Sequence, residues 1–404
     1  MSSCRIAVPG PVAPHVVGFT QFLEEQGYAP YTVGERVRAA EHLGRWMERN
    51  DLKLEDLAET ETIDSFGRHF AKCRSTIQSR ACKRPKAGAH LFVEYGRSVG
   101  VIAAAAQQAQ DPQLFDSFRR WMFEHRGVKA ATLEDYGRTL KVLVATLGDD
   151  PARFRTSALR EFVVEHGRPH GRGQAQNIAT AVRVFLRYLV ATDQCPVALE
   201  NAIPPVASWR LAALPKYLVP ADVEKLLGTC KLGTAKGLRD RAILLLLCRL
   251  GLRAKEVMEL RFDDIDWKDA SFVVLGKGGR RDRLPLPQEV GDAILAYLER
   301  GRPRFNGEQL FLRARPPRRG FLDSTAVSGI VRQAIHRAKV IAPSHGAHVL
   351  RHSAATQMLR GGSSLEAIAK VLRHSSVEMT AHYAKIDVAL LKDVAQPWPE
   401  VASC

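Results

Sequence analysis

His-Val-Leu-Arg-His at 348–352, Leu-Arg-His-Ser-Ser at 372–376 and His-Tyr-Ala-Lys at 382–385 decide the reading of this chain. His348 and Arg351 stand three apart, a spacing that puts both on one helix face. Apolar residues recur at helical spacing through Ser353 to Arg360 and Leu365 to Leu372, so His374 and Tyr383 follow a second helix. Further upstream lie Arg253, in Gly-Leu-Arg-Ala-Lys-Glu, and Lys277, in Gly-Lys-Gly-Gly. Two arginines, a lysine and two histidines suit one phosphate diester, and a tyrosine hydroxyl suits attack on it.

The chemistry explains the residue types. A phosphodiester transition state gathers charge on its non-bridging oxygens, and planar guanidinium forks hold two oxygens at once. Arg253 and Arg351 are candidates for that clamp, each donor in such a place being worth about 3–4 kcal/mol. His348, on the same face as Arg351, is of a residue type that titrates near neutrality and can hydrogen-bond the same phosphate or accept the nucleophile's proton. Lys277, in a glycine-rich turn, can protonate a leaving oxygen, and Tyr383 is the candidate nucleophile. Each residue also has a plainer reading: Arg253 as the surface ion-pair partner of Glu256, Lys277 as a solvated turn residue, Tyr383 as a packing residue. His345, His348 and His352 are spaced three and four apart, but no cysteine and no pair of acids completes a metal site around them, so none is expected.

Working outward, Arg239 to Leu250 reads as a deeply buried helix closed by Gly251, where a left-handed residue is favoured. Arg253 starts a short helix with Glu256 on the same face. Phe272–Leu275 and Arg283–Leu286 alternate as paired strands about the turn that carries Lys277. Helices are expected at Ala293–Glu299 and Thr325–Ala338, and Pro220 suits the first position of another. Pro204, Pro205 and Pro215 punctuate a stretch without helical period, which marks 201–217 as a linker and 218–404 as the catalytic part.

The first half carries an internal repeat. Phe22-Leu23-Glu24 with Gly27, Thr32, Val33 and Arg38 recurs as Met122-Phe123-Glu124 with Gly127, Thr132, Leu133 and Arg138, and Leu91–Tyr95 is echoed by Val184–Tyr188. Both copies read as helical, through Val17–Leu23, Phe115–Phe123 and Ile178–Leu189, with Thr32 and Thr132 as expected N-caps. Residues 1–108 and 109–200 are thus two helical modules, the first a candidate duplicate of the second. Between the copies lie a basic stretch, Arg80–Lys86, open to reading as a solvated loop or a backbone-contacting patch, and an alanine-rich run, Val101–Ala109.

Composition bounds the partners. With 404 residues and 46% hydrophobic content the chain has material for two or three packed domains, and a net charge of +16 favours nucleic acid over a membrane surface. Seven scattered cysteines without a Cys-x-x-Cys pair argue for a reducing compartment and against a disulfide framework or a zinc site. The N-terminus lacks a signal peptide's apolar core, and the longest apolar run, Ala242–Cys248, is too short for a bilayer, so a cytoplasmic, nucleoid-associated protein is expected.

Over roughly Leu218 to Asp387 the chain resembles the catalytic domain of the tyrosine recombinases, the phage integrase family. The match runs in order through Gly251-Leu252-Arg253 with Glu256, Lys277, His348 with Arg351 and His352, His374, and Tyr383 nine residues later. Leu250 stands where the family often has threonine, and Arg373 where it often has glycine. Arg373 is read as an added phosphate contact or a narrowing of target preference.

The resemblance implies a mainly α multidomain protein: helical (SAM-like) DNA-binding modules and an α+β catalytic domain with a small antiparallel sheet. Residues 111–195 would be the core-binding domain. Tyr383 would form a 3′-phosphotyrosyl link to double-stranded DNA, Lys277 would protonate the freed 5′-hydroxyl, and Glu256 and His352 would support the site. No metal, ATP or other cofactor is implied, and exchange would proceed in a tetramer on two DNA sites. The tail Asp387–Val394 would dock on a neighbouring subunit or on its own domain. Integration or transposition of a mobile element is the expected role; a non-catalytic DNA-binding accessory protein and a type IB topoisomerase are the rivals.

Overall fold

The computed structural model describes residues 10–73, 84–103, 113–169, 171–199, 201–203, 215–276 and 279–374, with Thr380 and Tyr383. The chain divides into two compact units, residues 1–54, 63–96 and 211–404 in one and residues 55–62 and 97–210 in the other. The described residues are mainly helical, with one small antiparallel sheet. The basic stretch up to residue 83, the alanine-rich run from residue 104, Pro204 and Pro205, Lys277 and the tail 387–394 lie outside the described residues.

The region that follows residue 217 is built on α10 (Ala235–Arg249), following α9 (Pro220–Gly228), which starts at the expected proline. Thr234 caps α10, its hydroxyl accepting from the Gly237 N–H at 3.0 Å. Ala242 to Cys248 is apolar on every face and wholly buried, and this is why the helix runs through the centre of the core rather than along its surface. Each buried leucine there contributes about 1.5–3 kcal/mol. The turn after α10 passes through Gly251 at φ +60°, the left-handed backbone anticipated from the sequence.

α11 (Ala254–Glu259) follows, then strands β1 (Ile265–Asp266), β2 (Ser271–Leu275) and β3 (Arg281–Pro285) in that spatial order. Ser271 pairs with Pro285 and Leu275 with Arg281, which places Phe272, Val274 and Leu284 in the core. Pro285 is accommodated because β3 is an edge strand. The hairpin closes through the Gly276 N–H to the Arg280 carbonyl at 2.7 Å. α12 (Gln288–Arg300), α13 (Thr325–Ala338), α14 (His348–Arg360) and α15 (Leu365–Leu372) complete the region. The segment before α9 is tied to α14 by the Leu218 N–H donating to Ser353 Oγ at 2.8 Å, a buried bond.

Two four-helix sets lie upstream. α1 (Val16–Glu25), α2 (Pro30–Arg49), α3 (Thr60–Lys72) and α4 (Pro85–Ser98) form one; α5 (Gln113–Arg126), α6 (Ala130–Leu147), α7 (Thr156–Gly167) and α8 (Arg172–Ala191) form the other. α2 and α6 begin at equivalent positions after left-handed Gly27 and Gly127, with N-caps at Ala29 and Lys129 in the same extended backbone. This corrects the expectation of threonine caps: Thr32 and Thr132 sit in the first turn of their helices, because the chain enters each helix three residues earlier. In the first unit, helices α1 to α4 bury Phe19, Leu23, Met47, Phe66 and Phe92, and this set touches the loop before α13, where the Arg318 N–H donates to the Gln26 carbonyl at 3.0 Å.

One buried ion pair inside α10 carries a measurable cost. Asp240 is 1% exposed; its carboxylate accepts from Arg239 Nη2 at 2.7 Å and from Lys236 Nζ at 2.7 Å, while Arg239 Nη1 donates to the Leu312 carbonyl at 2.9 Å. Removing one partner of a buried pair strands the other, at about 3–5 kcal/mol. Asp240→Ala is expected to lower the unfolding free energy by that amount, read as a lower urea midpoint at unchanged slope; a loss under about 1 kcal/mol, the range of surface pairs, contradicts this.

Candidate active site

The site is assembled where the end of α10, the start of α11, the first two turns of α14 and the end of α15 meet. Glu256, 4% exposed, is its anchor. Its Oε2 accepts from the Arg253 N–H at 2.8 Å and from Arg373 Nη2 at 2.6 Å, and its Oε1 accepts from Arg253 Nη1 at 2.7 Å. Burial pushes this carboxyl up, but the Arg253 N–H and the charges of Arg373 and Arg253 outweigh it and hold the group below its ordinary value. Arg253 Nη2 donates to the Arg373 carbonyl at 3.2 Å. The arginine is fixed from two sides while its side chain keeps 28% exposure.

Arg351, 5% exposed, ties the remaining pieces together. Its Nη1 donates to the Gly251 carbonyl and its Nη2 to the Leu372 carbonyl. An added Cβ at Gly251 would lie 2.5 Å from Leu372 Cδ2, so both the left-handed turn and this close approach require glycine. Burial and the charge of Arg253 lower the Arg351 guanidinium to about 10, and it stays a cation at neutral pH.

His348, Arg351 and His352 come from consecutive turns of α14. The His348 and His352 rings meet edge to face at 6.3 Å, and desolvation, Arg351 and Arg253 lower the His348 pKa. His374 follows α15; its Nδ1 is 2.7 Å from Thr380 Oγ1, and burial with Arg351, Arg253 and His352 takes its pKa down to about 4. Tyr383 is 2% exposed, packed with Ala355, Leu359, Ile368 and Leu372, its ring parallel to that of His374 at 6.3 Å. Its hydroxyl lies 2.7 Å from His352 Nδ1. Burial raises the phenol to about 12 although Arg351 draws it down.

Arg253, Glu256, His348, Arg351, His352, His374 and Tyr383 thus converge, as the sequence pattern predicts, while Lys277 lies outside the described residues. His345, in the loop before α14, is exposed. Thr380 and the inward carbonyls of Gly251 and Leu372 were not anticipated; no residue-type signal marks a carbonyl acceptor.

The phage integrase family model matches residues 216–389. Over 403 residues the chain is 34% identical to a putative integrase/recombinase, y4rA, of Sinorhizobium fredii, with 96% of this chain aligned to 95% of the relative. The chain belongs to the phage integrase family, that of the tyrosine recombinases. It is a DNA strand-transferring enzyme. Two solved structures share its fold: the XerH site-specific recombinase in a post-cleavage complex with palindromic difH substrate (TM-score 0.55, 18% identity, 76% of this chain and 94% of that one), and the Tn1549 transposon integrase with a circular intermediate DNA (TM-score 0.53, 17% identity, 70% and 99%).

Within this tyrosine recombinase Arg373 departs from the sequence expectation. It occupies a left-handed backbone at φ +53°, which explains why glycine suits this C-terminal position. Its side chain is 4% exposed and turns inward onto Glu256, with Nη1 donating to the Val371 carbonyl at 2.9 Å, so it braces Arg253 rather than extending toward a ligand. Breaking a buried pair costs about 3–5 kcal/mol and relieving the left-handed strain returns about 1–2 kcal/mol, so Arg373→Gly is expected to lose roughly 1–4 kcal/mol in denaturant unfolding. The lowered Glu256 pKa contributes stability that is present above its ordinary value of 4.5 and lost as pH falls through the lower folded value. Acid unfolding below that pH should therefore be shallower in Arg373→Gly than in the parent; equal acid limbs contradict the pairing.

Proposed function

We propose that the chain cuts and rejoins duplex DNA through a 3′-phosphotyrosyl link at Tyr383, as a site-specific recombinase in the integration or transposition of a mobile element. The observation that carries the reading is the Tyr383 hydroxyl held at 2.7 Å from His352 Nδ1 beside the fixed Arg351. With its pKa near 12 the phenol is protonated at rest and needs an acceptor as it attacks. With its own proton on Nε2, His352 takes the phenolic proton at Nδ1 as the Oη–P bond forms. The P–O5′ bond breaks, and Lys277 gives its proton to the departing 5′-oxygen. Attack by a 5′-hydroxyl of another strand reverses each step, so the phosphodiester energy is retained.

Arg253 and Arg351 neutralise charge on the non-bridging oxygens, with His348 and His374 as further hydrogen-bonding groups. Double-stranded DNA as partner is supported by the net charge of +16 and by the DNA complexes named for XerH and the Tn1549 integrase. Residues 109–200 act as the core-binding domain, and 1–108 as its duplicate; the equivalent starts of α2 and α6 support the duplication. A tetramer on two sites would bring together the two strand pairs that exchange requires.

A nicked suicide substrate should trap a covalent protein–DNA adduct with the parent protein and none with Tyr383→Phe; an adduct that survives this substitution removes the assignment. Arg351→Ala and Arg253→Ala should each lower the cleavage rate about 10²–10³-fold with DNA binding retained. Lys277→Ala should slow cleavage of ordinary DNA but not of DNA with sulfur at the bridging 5′ position, because a thiolate leaves without a proton.

A further inference from the structure

Helices α2 and α3 bring together three groups that the strand-transfer reading leaves unused. His42 is on α2; His69 is on α3 and Cys73 follows its last residue, four positions on and so on the same face. A ring nitrogen of each histidine and the Cys73 sulfur all lie within 4.8 Å of one another. The two imidazole centroids are 5.6 Å apart.

His42 is 8% exposed, walled by the rings of Phe66 and Phe70 at 5.9 and 5.1 Å, and its Nε2 is buried without a hydrogen-bond partner. Leaving such a group unsatisfied costs about 1–3 kcal/mol, so a buried imidazole nitrogen without a partner calls for an explanation. His69 and Cys73 are half-buried, which leaves the cluster open to solvent on their side.

We propose that His42, His69 and Cys73 bind a borderline divalent cation of the zinc class, pinning α2 to α3. Two neutral imidazoles and one thiolate form a donor set for such an ion, with Zn–N near 2.1 Å and Zn–S near 2.3 Å. Tetrahedral bonds of these lengths place ligand atoms about 3.5 Å apart, so closing from 4.8 Å takes only small side-chain rotations. Binding forms two N–metal bonds and one S–metal bond, releases the Cys73 thiol proton to solvent, and leaves the fourth position to water. The charges of Arg45 and Arg49 bear on His42 and oppose a cation. The thiolate offsets part of that opposition, a role that a third histidine would not fill.

The test is a titration of the full-length, chelator-treated protein with Co²⁺, whose visible bands report tetrahedral geometry and whose near-ultraviolet thiolate charge-transfer band reports sulfur. The expected result is one equivalent bound per chain with both signatures, displaced by Zn²⁺, and a melting temperature that rises with added Zn²⁺. Cys73→Ser should lose the charge-transfer band and His42→Ala the tetrahedral bands, each variant being checked for parental helicity by circular dichroism. Absence of stoichiometric Co²⁺ binding to the parent overturns the proposal even if a variant fails to fold, and so does a charge-transfer band that persists in Cys73→Ser. Formation of the Tyr383 adduct is scored separately, so failure here leaves the strand-transfer reading standing.

Discussion

Glu256 is one carboxylate holding two guanidinium groups and a backbone N–H inside the protein. Without it, Arg253 would lose the contact that fixes its angle, and Arg373 would be a cation buried at the end of α15 with no counter-charge. Charges taken out of water demand such compensation, and their mutual attraction grows as water leaves. The site is therefore a network in which each cation is placed by an acceptor that cannot move far. Arg351 follows the same logic with neutral acceptors, the carbonyls of Gly251 and Leu372.

This arrangement concentrates positive charge around uncharged histidines. His374 is held neutral near pH 7 because burial penalises its charged form and a further proton would also face Arg351 and Arg253. The same surroundings leave Tyr383 protonated: burial outweighs the pull of Arg351. The phenol and its surrounding cations thus coexist at rest without the phenol ionising.

Much of this was legible in the sequence because its signals are local. The apolar run of α10, the glycine that ends it and Pro220 at the start of α9 each mark structure by residue type alone. The bounds of α13 and α15 also follow from periodicity. The two residues of β1 carry no pattern of their own and exist because β2 pairs with them. The inward turn of Arg373 was hidden because its partner is 117 positions upstream. The proximity of His42 to His69 was hidden similarly, since only the packing of α2 against α3 brings them together.

The contact between the Arg318 N–H and the Gln26 carbonyl has a consequence for the order in which the protein is made. The unit that contains it is discontinuous, its early helices separated from its later ones by the stretch that forms the other unit. A chain emerging from the ribosome can complete the second unit from nearly contiguous residues, whereas Gln26 must wait until residue 318 has been synthesised. Until then α1 to α4 have only their own core of Phe19, Leu23, Met47, Phe66 and Phe92 to rely on. Truncated products ending before that loop would leave the Gln26 carbonyl at the end of α1 without the Arg318 N–H.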